Sequence, residues 1–144
     1  MTEGSLQSGV STIVGHGRMD GEDSVELDLP ARPEFIGLTR LIVSGLAAHA
    51  DFSVDEIEDV RIAVDEMCAT LIEQCPDGSR LTVTFMLSGP TLRCRATTVA
   101  GSTRVEFDEL AMHVLAATVD QYSLVREGAL VAASMEKTRS ASMV

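Results

Sequence analysis

The segment 53–75, SVDEIEDVRIAVDEMCATLIEQC, decides the fold of this chain because it has the marks of a long amphipathic helix. Ser53 and Glu56 form a capping box, in which the serine hydroxyl accepts an amide hydrogen and the glutamate reaches back to the serine amide. Pro76-Asp77-Gly78 ends the helix. Its apolar side chains recur at steps of three and four residues, which places them on one face: Ile57, Val60, Val64, Met67, Leu71 and Cys75.

The opposite face of this helix is acidic. Arg61 is its only cation, against seven carboxylates: Asp55, Glu56, Glu58, Asp59, Asp65, Glu66 and Glu73. Two interpretations stay open from the pattern alone. The carboxylates form either a solvated surface, favoured near the helix start by the helix dipole, or a surface with a function.

Composition narrows the classes of function. A chain of 144 residues fits one domain with its own core. The net charge of −11 argues against direct nucleic-acid binding, since phosphates would be repelled, and the 3% aromatic content leaves little for base stacking. The acidic surface suits a basic protein partner, or it serves solubility alone.

The sequence also indicates a compartment. Residues 1–23 lack the basic start and apolar core of a signal peptide, and no apolar run approaches the length of a membrane span. We therefore expect a cytoplasmic protein without membrane contact. Cys68, Cys75 and Cys94 form no CxxC motif and no cluster with histidine, so we expect buried, inert thiols and no metal site.

Hydropathy patterning predicts an α/β two-layer sandwich, with a mainly antiparallel sheet of about five strands and three helices on one face. The helix at 53–75 is the second of the three. Gly/Ser-rich residues 1–23 are predicted to be a disordered tail, the domain to occupy 24–137, and residues 138–144 to be a C-terminal tail. The remaining predicted elements are strands at 24–30, 80–87, 91–99, 121–126 and 129–135 and helices at 33–50 and 107–119.

Some side chains can be assigned to a face. Leu41 in the first helix and Leu110 in the third are predicted to point inward. Gly37 and Gly45 lie inside the first helix, where we expect them to allow close packing against a neighbour. Arg93 and Arg95 flank Cys94 on a strand, which puts both on the solvent side of the sheet, where they are either solvated or bind an acidic group.

The element order and two segments resemble the RsbW-type anti-sigma-factor/serine-kinase branch of the GHKL ATPases. The segments are LPARPEFIGLTRLIVSGLA at 29–47 and DEIEDVRIAVDEMC at 55–68. The resemblance covers about 25–99 well and resumes weakly over 115–135. It implies the GHKL (Bergerat) two-layer fold, and it places the family's Glu-x-x-x-Asn box on the helix at 53–75.

The chain departs from the family's ATP site at several positions. Glu66 matches the family's general-base glutamate, but Thr70 stands where an asparagine holds Mg²⁺. The family's Asp-x-Gly-x-Gly segment is replaced by residues 97–101, TTVAG, in which Thr98 and Gly101 are the corresponding nucleotide positions. The long lid and its Gly-x-Gly turn are reduced to about seven residues. Glu66 is therefore interpreted as vestigial, Thr70, Thr98 and Gly101 as degenerate ATP/Mg²⁺ positions, and no cofactor is expected.

What the resemblance implies is an anti-sigma factor that sequesters an alternative sigma factor in a bacterial stress response, without kinase activity, until an anti-anti-sigma (STAS-type) protein releases it. Family members are often homodimers. Two alternatives stay open: an active ATP-dependent serine kinase that phosphorylates the antagonist, and a small-molecule sensor that uses the remnant nucleotide cleft.

Four residues are candidates for partner binding. Glu56, Glu58 and Asp59 lie on the acidic face, where a Lys- and Arg-rich sigma surface would dock. Arg40 matches an arginine of the family's first helix. For each the alternative is structural, a solvated carboxylate or, for Arg40, a surface ion pair.

Overall fold

The computed structural model describes residues 12–19, 22–101 and 104–141. It is an α/β two-layer sandwich in which one antiparallel sheet, in the order β1-β2-β3-β4-β6-β5, carries three helices on one face. The strands are β1 Thr12–Met19, β2 Glu22–Pro30, β3 Arg80–Ser88, β4 Thr91–Val99, β5 Gln121–Glu127 and β6 Leu130–Thr138. The helices are α1 Ile36–His49, α2 Val54–Gln74 and α3 Glu109–Thr118, and a 3-10 turn at Pro33–Phe35 precedes α1.

The sheet has one buried and one open face because its strands alternate in polarity. Along β3 every second residue is buried, and in β4 Cys94 is buried whereas Arg93 and Arg95 are exposed, as predicted. The buried face packs against α1, α2 and α3, and the core includes Phe85, Met67 and Leu115. Within the described part of the chain, no helix is long and apolar enough to cross a membrane.

Helix α2 forms as the sequence predicts. Ser53 Oγ accepts from the Glu56 amide at 3.1 Å, and Glu56 Oε1 accepts from the Ser53 amide at 2.8 Å, so both halves of the capping box are present. Val60, Val64, Met67 and Leu71 of the predicted apolar face are buried in the core, with Ile57 packed beside them. This burial ties α2 to the sheet and fixes which way its acidic side chains face.

The N-terminal segment differs from its prediction. Thr12–Met19 is strand β1, and β2 begins at Glu22, so the sheet has six strands and the prediction of a tail is wrong for 12–19 and 22–23. Pairing with β2 supplies the hydrogen bonds that stabilise this strand, and the glycine-containing sequence alone does not predict that pairing. Residues 1–11 and 20–21 lie outside the described part.

The C-terminal segment is also bound to the domain. Thr138 belongs to β6, the Arg139 amide donates to the carbonyl of Pro90 at 2.9 Å, and the Ser140 amide donates to Glu56 Oε2 at 2.7 Å. The predicted tail at 138–144 is therefore attached through residue 140, and 142–144 lie outside the described residues. The C-terminal segment thus meets the start of α2.

One residue of α1 and the inward face of α3 differ from their predictions. Leu41 is 69% exposed and Leu110 is 70% exposed, so neither points inward. In α3 the buried positions are Ala111, Leu115 and Thr118, one residue later than predicted, because the helix starts only after Phe107 has entered the core. A Cβ added to Gly37 or Gly45 would meet nothing within 4 Å, so these glycines allow no close packing within the described chain.

Candidate functional site

Glu66 lies on α2 beside the loop that follows β4, and its surroundings are acidic. Burial raises the pKa of its carboxyl, and the nearby carboxylates of Asp108, Glu73 and Asp65 raise it further. No cation contributes to this shift. A carboxylate flanked by three others repels the phosphates that a nucleotide site must hold.

The loop after β4 is attached to the C-terminal end of α2 by the side chain of Gln74. Its Nε2 donates to the carbonyl of Glu106 at 3.1 Å and to that of Thr70 at 3.2 Å. Its Oε1 accepts from the Glu106 amide at 3.3 Å. One amide side chain therefore satisfies both backbone groups of Glu106 and holds the loop against the helix.

Two hydrophobic and capping contacts anchor the far end of the same loop. Phe107 is buried and lies edge-on to Tyr122, with ring centroids 6.0 Å apart. Asp108 caps α3, accepting from the Ala111 amide at 2.7 Å. The loop thus ends in the core, and the capping carboxylate is also one of the three that, after burial, raise the pKa of Glu66.

The three degenerate nucleotide positions are closed to a ligand. Thr70 is buried, and Thr98 is buried with its hydroxyl donating to the carbonyl of Arg80 at 2.7 Å. A Cβ added to Gly101 would lie 3.2 Å from the carbonyl of Gln74, so this glycine serves a close backbone approach and forms no open cradle. Thr70, Thr98 and Gly101 do not fit ATP with Mg²⁺, since none of the three supplies an amide ligand or a free side-chain donor to phosphate. Among the described residues, no group of three potential metal ligands comes together.

The candidate partner residues are engaged in contacts within the chain. Arg40 Nε lies 2.8 Å from Asp65 Oδ1, and burial nevertheless raises the pKa of Asp65 because it outweighs the attraction of the arginine. Glu58 pairs with Arg61 at 3.0 Å. These pairs are partly exposed, so both surfaces remain accessible.

Glu56 and Asp59 have structural partners from the C-terminal segment. Both carboxylate oxygens of Glu56 accept backbone amides, chiefly that of Ser53, and these bonds lower its pKa to about 2. Asp59 lies 3.5 Å from Lys137 Nζ, which also donates to the carbonyl of Thr118 at 2.8 Å. Lys137 therefore joins α2, α3 and β6.

Cys68 and Cys94 are buried, as the sequence predicts. Burial raises the pKa of Cys68 to about 12 and raises that of Cys94 as well. Both thiols therefore stay protonated at neutral pH and are poor nucleophiles. Cys75 is half-buried at the end of α2.

Sequence reasoning missed the residues that close the site. The pattern does not mark Gln74 or Phe107 as site residues, whereas Asp108 carries a detectable signal, an aspartate directly before a helical pattern. The local sequence pattern does not predict that Gln74 hydrogen-bonds to the loop, because Glu106 lies 32 residues further along the chain.

Comparison with known proteins identifies relatives. A Serine-protein kinase RsbW from Bacillus pumilus is 31% identical over 106 residues, which cover 69% of this chain and 65% of that protein. One from Halalkalibacterium halodurans is 37% identical over 71 residues (49% and 44%), and one from Bacillus subtilis is 43% identical over 51 residues (35% and 32%). The matched part thus spans about a third to two thirds of these relatives.

A solved structure supports the same fold. The crystal structure of the RsbU and RsbW domains of a Mycobacterium tuberculosis protein matches with a TM-score of 0.62 at 13% identity, covering 79% of this chain and 32% of that one. No protein-family model matches the chain. The relatives named above confirm the resemblance to the RsbW-type family that the sequence shows, and the solved structure, with the capped α2 and the helix-covered antiparallel sheet, supports the GHKL-type α/β fold.

Proposed function

We propose that this protein is an anti-sigma factor that sequesters an alternative sigma factor by direct binding, that it lacks ATP-dependent kinase activity, and that a STAS-type anti-anti-sigma protein releases it. The observation that carries the proposal is the attachment of the loop after β4 to α2 at Glu106. Gln74 holds Glu106 against α2, and Glu66 faces carboxylates where a kinase would need cations. Similarity to RsbW-type proteins supports the protein-binding role, which does not need the nucleotide site.

The acidic surface of α2 is the proposed sigma-binding surface. Asp55 and Glu58 are exposed on it, and the net charge of −11 would speed association with a basic protein. Glu56 is a poor docking group because its two oxygens already hold amides. Asp59 and Arg40 contribute mainly through their ion pairs.

The absence of kinase activity is tested by calorimetry with Mg-ATP. We expect no heat of binding at millimolar nucleotide, with the Bacillus subtilis relative as the positive control. Thr70→Asn restores the family's amide at that position and should still bind no nucleotide, because the loop and the carboxylates remain. Micromolar binding by the unaltered protein would contradict the proposal in favour of the kinase.

Sigma binding is tested by co-expression with each alternative sigma factor from the same genome, followed by purification at low salt. A stable complex is expected with one of them. The double variant Asp55→Lys with Glu58→Lys should lower the association rate, whereas Asp77→Lys, in the turn beyond the far end of α2, should not. If no sigma factor co-purifies, the proposal loses its basis. If the double variant associates at an unchanged rate, the acidic surface of α2 does not bind the sigma factor.

The oligomeric state is a separate part of the proposal. We expect a homodimer, and light scattering on the eluted protein measures its mass directly. A monomer across the accessible concentration range contradicts that expectation without affecting sigma binding.

A further inference from the structure

Strand β5 is an unprotected sheet edge. It is the last strand in the sheet order, and within the described residues β6 is its only neighbour. Edge strands usually carry a lysine, a proline or a bulge that prevents pairing with another chain. The first five residues of β5, QYSLV, have no charge and no proline.

A groove runs beside this edge. Its volume is about 690 Å³, and the loop after β4, α3, β5 and β6 line it. Its apolar lining includes Phe107, Met112, Tyr122 and Leu124. Side chains of an added strand that alternate toward this side would therefore meet an apolar surface next to the open backbone.

Exposed apolar side chains lie near this edge on both sides of the sheet, with Met112 in the groove and Val99 and Val125 on the open face. Of the eight large ones in the described part of the chain, five lie at the end of β4, on α3, on β5 or on β6: Val99, Leu110, Met112, Val125 and Leu130. Single exposed apolar residues need no explanation, but a group of them beside an open edge is typical of a binding surface.

The charge of the groove differs from that of the molecule. Arg104 and Arg126 border it, with Glu106 as its one carboxylate. Arg126 donates through Nε to the carbonyl of Gly128, and Arg104 is 87% exposed in its weak pairing with Glu106 at 3.5 Å. The groove is thus locally basic in a chain of net charge −11.

We propose that β5 and this groove bind an extended segment of a second protein, which adds as a strand to the sheet and carries apolar side chains at alternate positions with one or two carboxylates between them. Backbone hydrogen bonds to β5 supply affinity, the Phe107–Tyr122 surface selects the apolar side chains, and Arg104 and Arg126 select the carboxylates. This site is distinct from the proposed sigma surface on α2 and does not depend on that proposal.

The probe is a nine-residue peptide of alternating valine and polar residues that includes two aspartates. The matched peptide has lysines in place of the aspartates, and a third has proline at its centre. The net charge of −11 favours binding of the lysine peptide through non-specific attraction. If fluorescence anisotropy shows that the aspartate peptide binds more tightly than the lysine peptide, the basic groove is the binding site. We also expect slower amide hydrogen exchange at 121–127 on binding.

Charge-reversal variants locate the site. Arg104→Glu with Arg126→Glu should weaken binding of the aspartate peptide about tenfold, for two exposed ion pairs. The control Arg32→Glu with Arg61→Glu changes the net charge equally at residues that do not line the groove and should leave binding unchanged. Circular dichroism checks that all variants fold.

Three results overturn the proposal. Equal binding of the aspartate and lysine peptides, or equal affinity in both double variants, would remove the role of the arginines. Absence of protection at 121–127 would move the site elsewhere. Concentration-dependent protection of β5 without peptide, together with a dimer by light scattering, would assign this edge to a second copy of the chain.

Discussion

Replacement of Glu56 should reveal how strongly the C-terminal segment is tied to α2. Glu56→Ala removes the acceptors of two backbone hydrogen bonds, from Ser53 at 2.8 Å and from Ser140 at 2.7 Å. The fall in the pKa of Glu56 from 4.5 to about 2 corresponds to at most about 3 kcal/mol at neutral pH. Because solvent reaches this carboxylate, we expect about 1 to 1.5 kcal/mol, or a Tm lower by about 3 to 5 °C.

The pH dependence of this effect has a defined sign. The pKa of Glu56 is lower in the folded protein than in the unfolded chain, so its contribution is fully present above pH 4.5 and is lost as the pH falls toward 2. Urea unfolding followed by circular dichroism at pH 7, 5, 4 and 3 measures it. Glu56→Gln keeps a capping oxygen without the charge, and its difference from the unaltered protein should shrink over that interval.

Asp55→Ala is the matched control for Glu56→Ala. Asp55 shares the first turn of α2 and its dipole, but it does not cap the helix, so we expect a loss of about 0.5 kcal/mol. Equal losses for Asp55→Ala and Glu56→Ala would refute the assigned role of the two hydrogen bonds. A Glu56→Gln difference that is as large at pH 3 as at pH 7 would refute the electrostatic part.

Four further substitutions test other features of the fold. Gly37→Ala should raise the free energy of unfolding by about 0.5 to 1 kcal/mol, since its added methyl group meets nothing, whereas Gly78→Ala should lower it because φ is +80° there. Glu66→Gln should raise the Tm at pH 7, with the gain disappearing below pH 4.5 because the folded pKa is raised; a lower Tm would contradict this. Gln74→Ala should cost about 1 to 2 kcal/mol and speed hydrogen exchange at Glu106, and unchanged exchange would show that the loop is held otherwise.

The sequence predicts local features of this protein well. The start of α2, its buried face and the alternation of β3 and β4 follow from patterns within about 20 residues, so their physical causes are visible in the sequence. The sequence does not predict strand β1, because this strand is stabilised by its pairing with β2 and not by its own composition. The shifted face of α3 has a similar cause, since the position of Phe107 in the core sets where that short helix begins.

The candidate site was predicted only in part. The sequence identifies Glu66 and the loss of its family partners, but the carboxylate of Asp108 reaches it from 42 residues further along the chain. The acidic residues proposed for partner binding are predicted from their position on the exposed face of the helix. Their partners Lys137 and Ser140 come from the far end of the chain, and such long-range contacts leave no periodic signal.

The strand order has a consequence for folding kinetics. Strands β1 to β4 join neighbours in sequence, but β6 passes over β5 to pair with β4, with Val99 opposite Leu130. Closing residues 100–129 costs conformational entropy before that pair forms, as closing residues 31–79 does before β2 pairs with β3, whereas hairpins join β1 to β2, β3 to β4 and β5 to β6. We therefore expect substitutions between β4 and β6 to slow folding, and substitutions in β1 chiefly to accelerate unfolding.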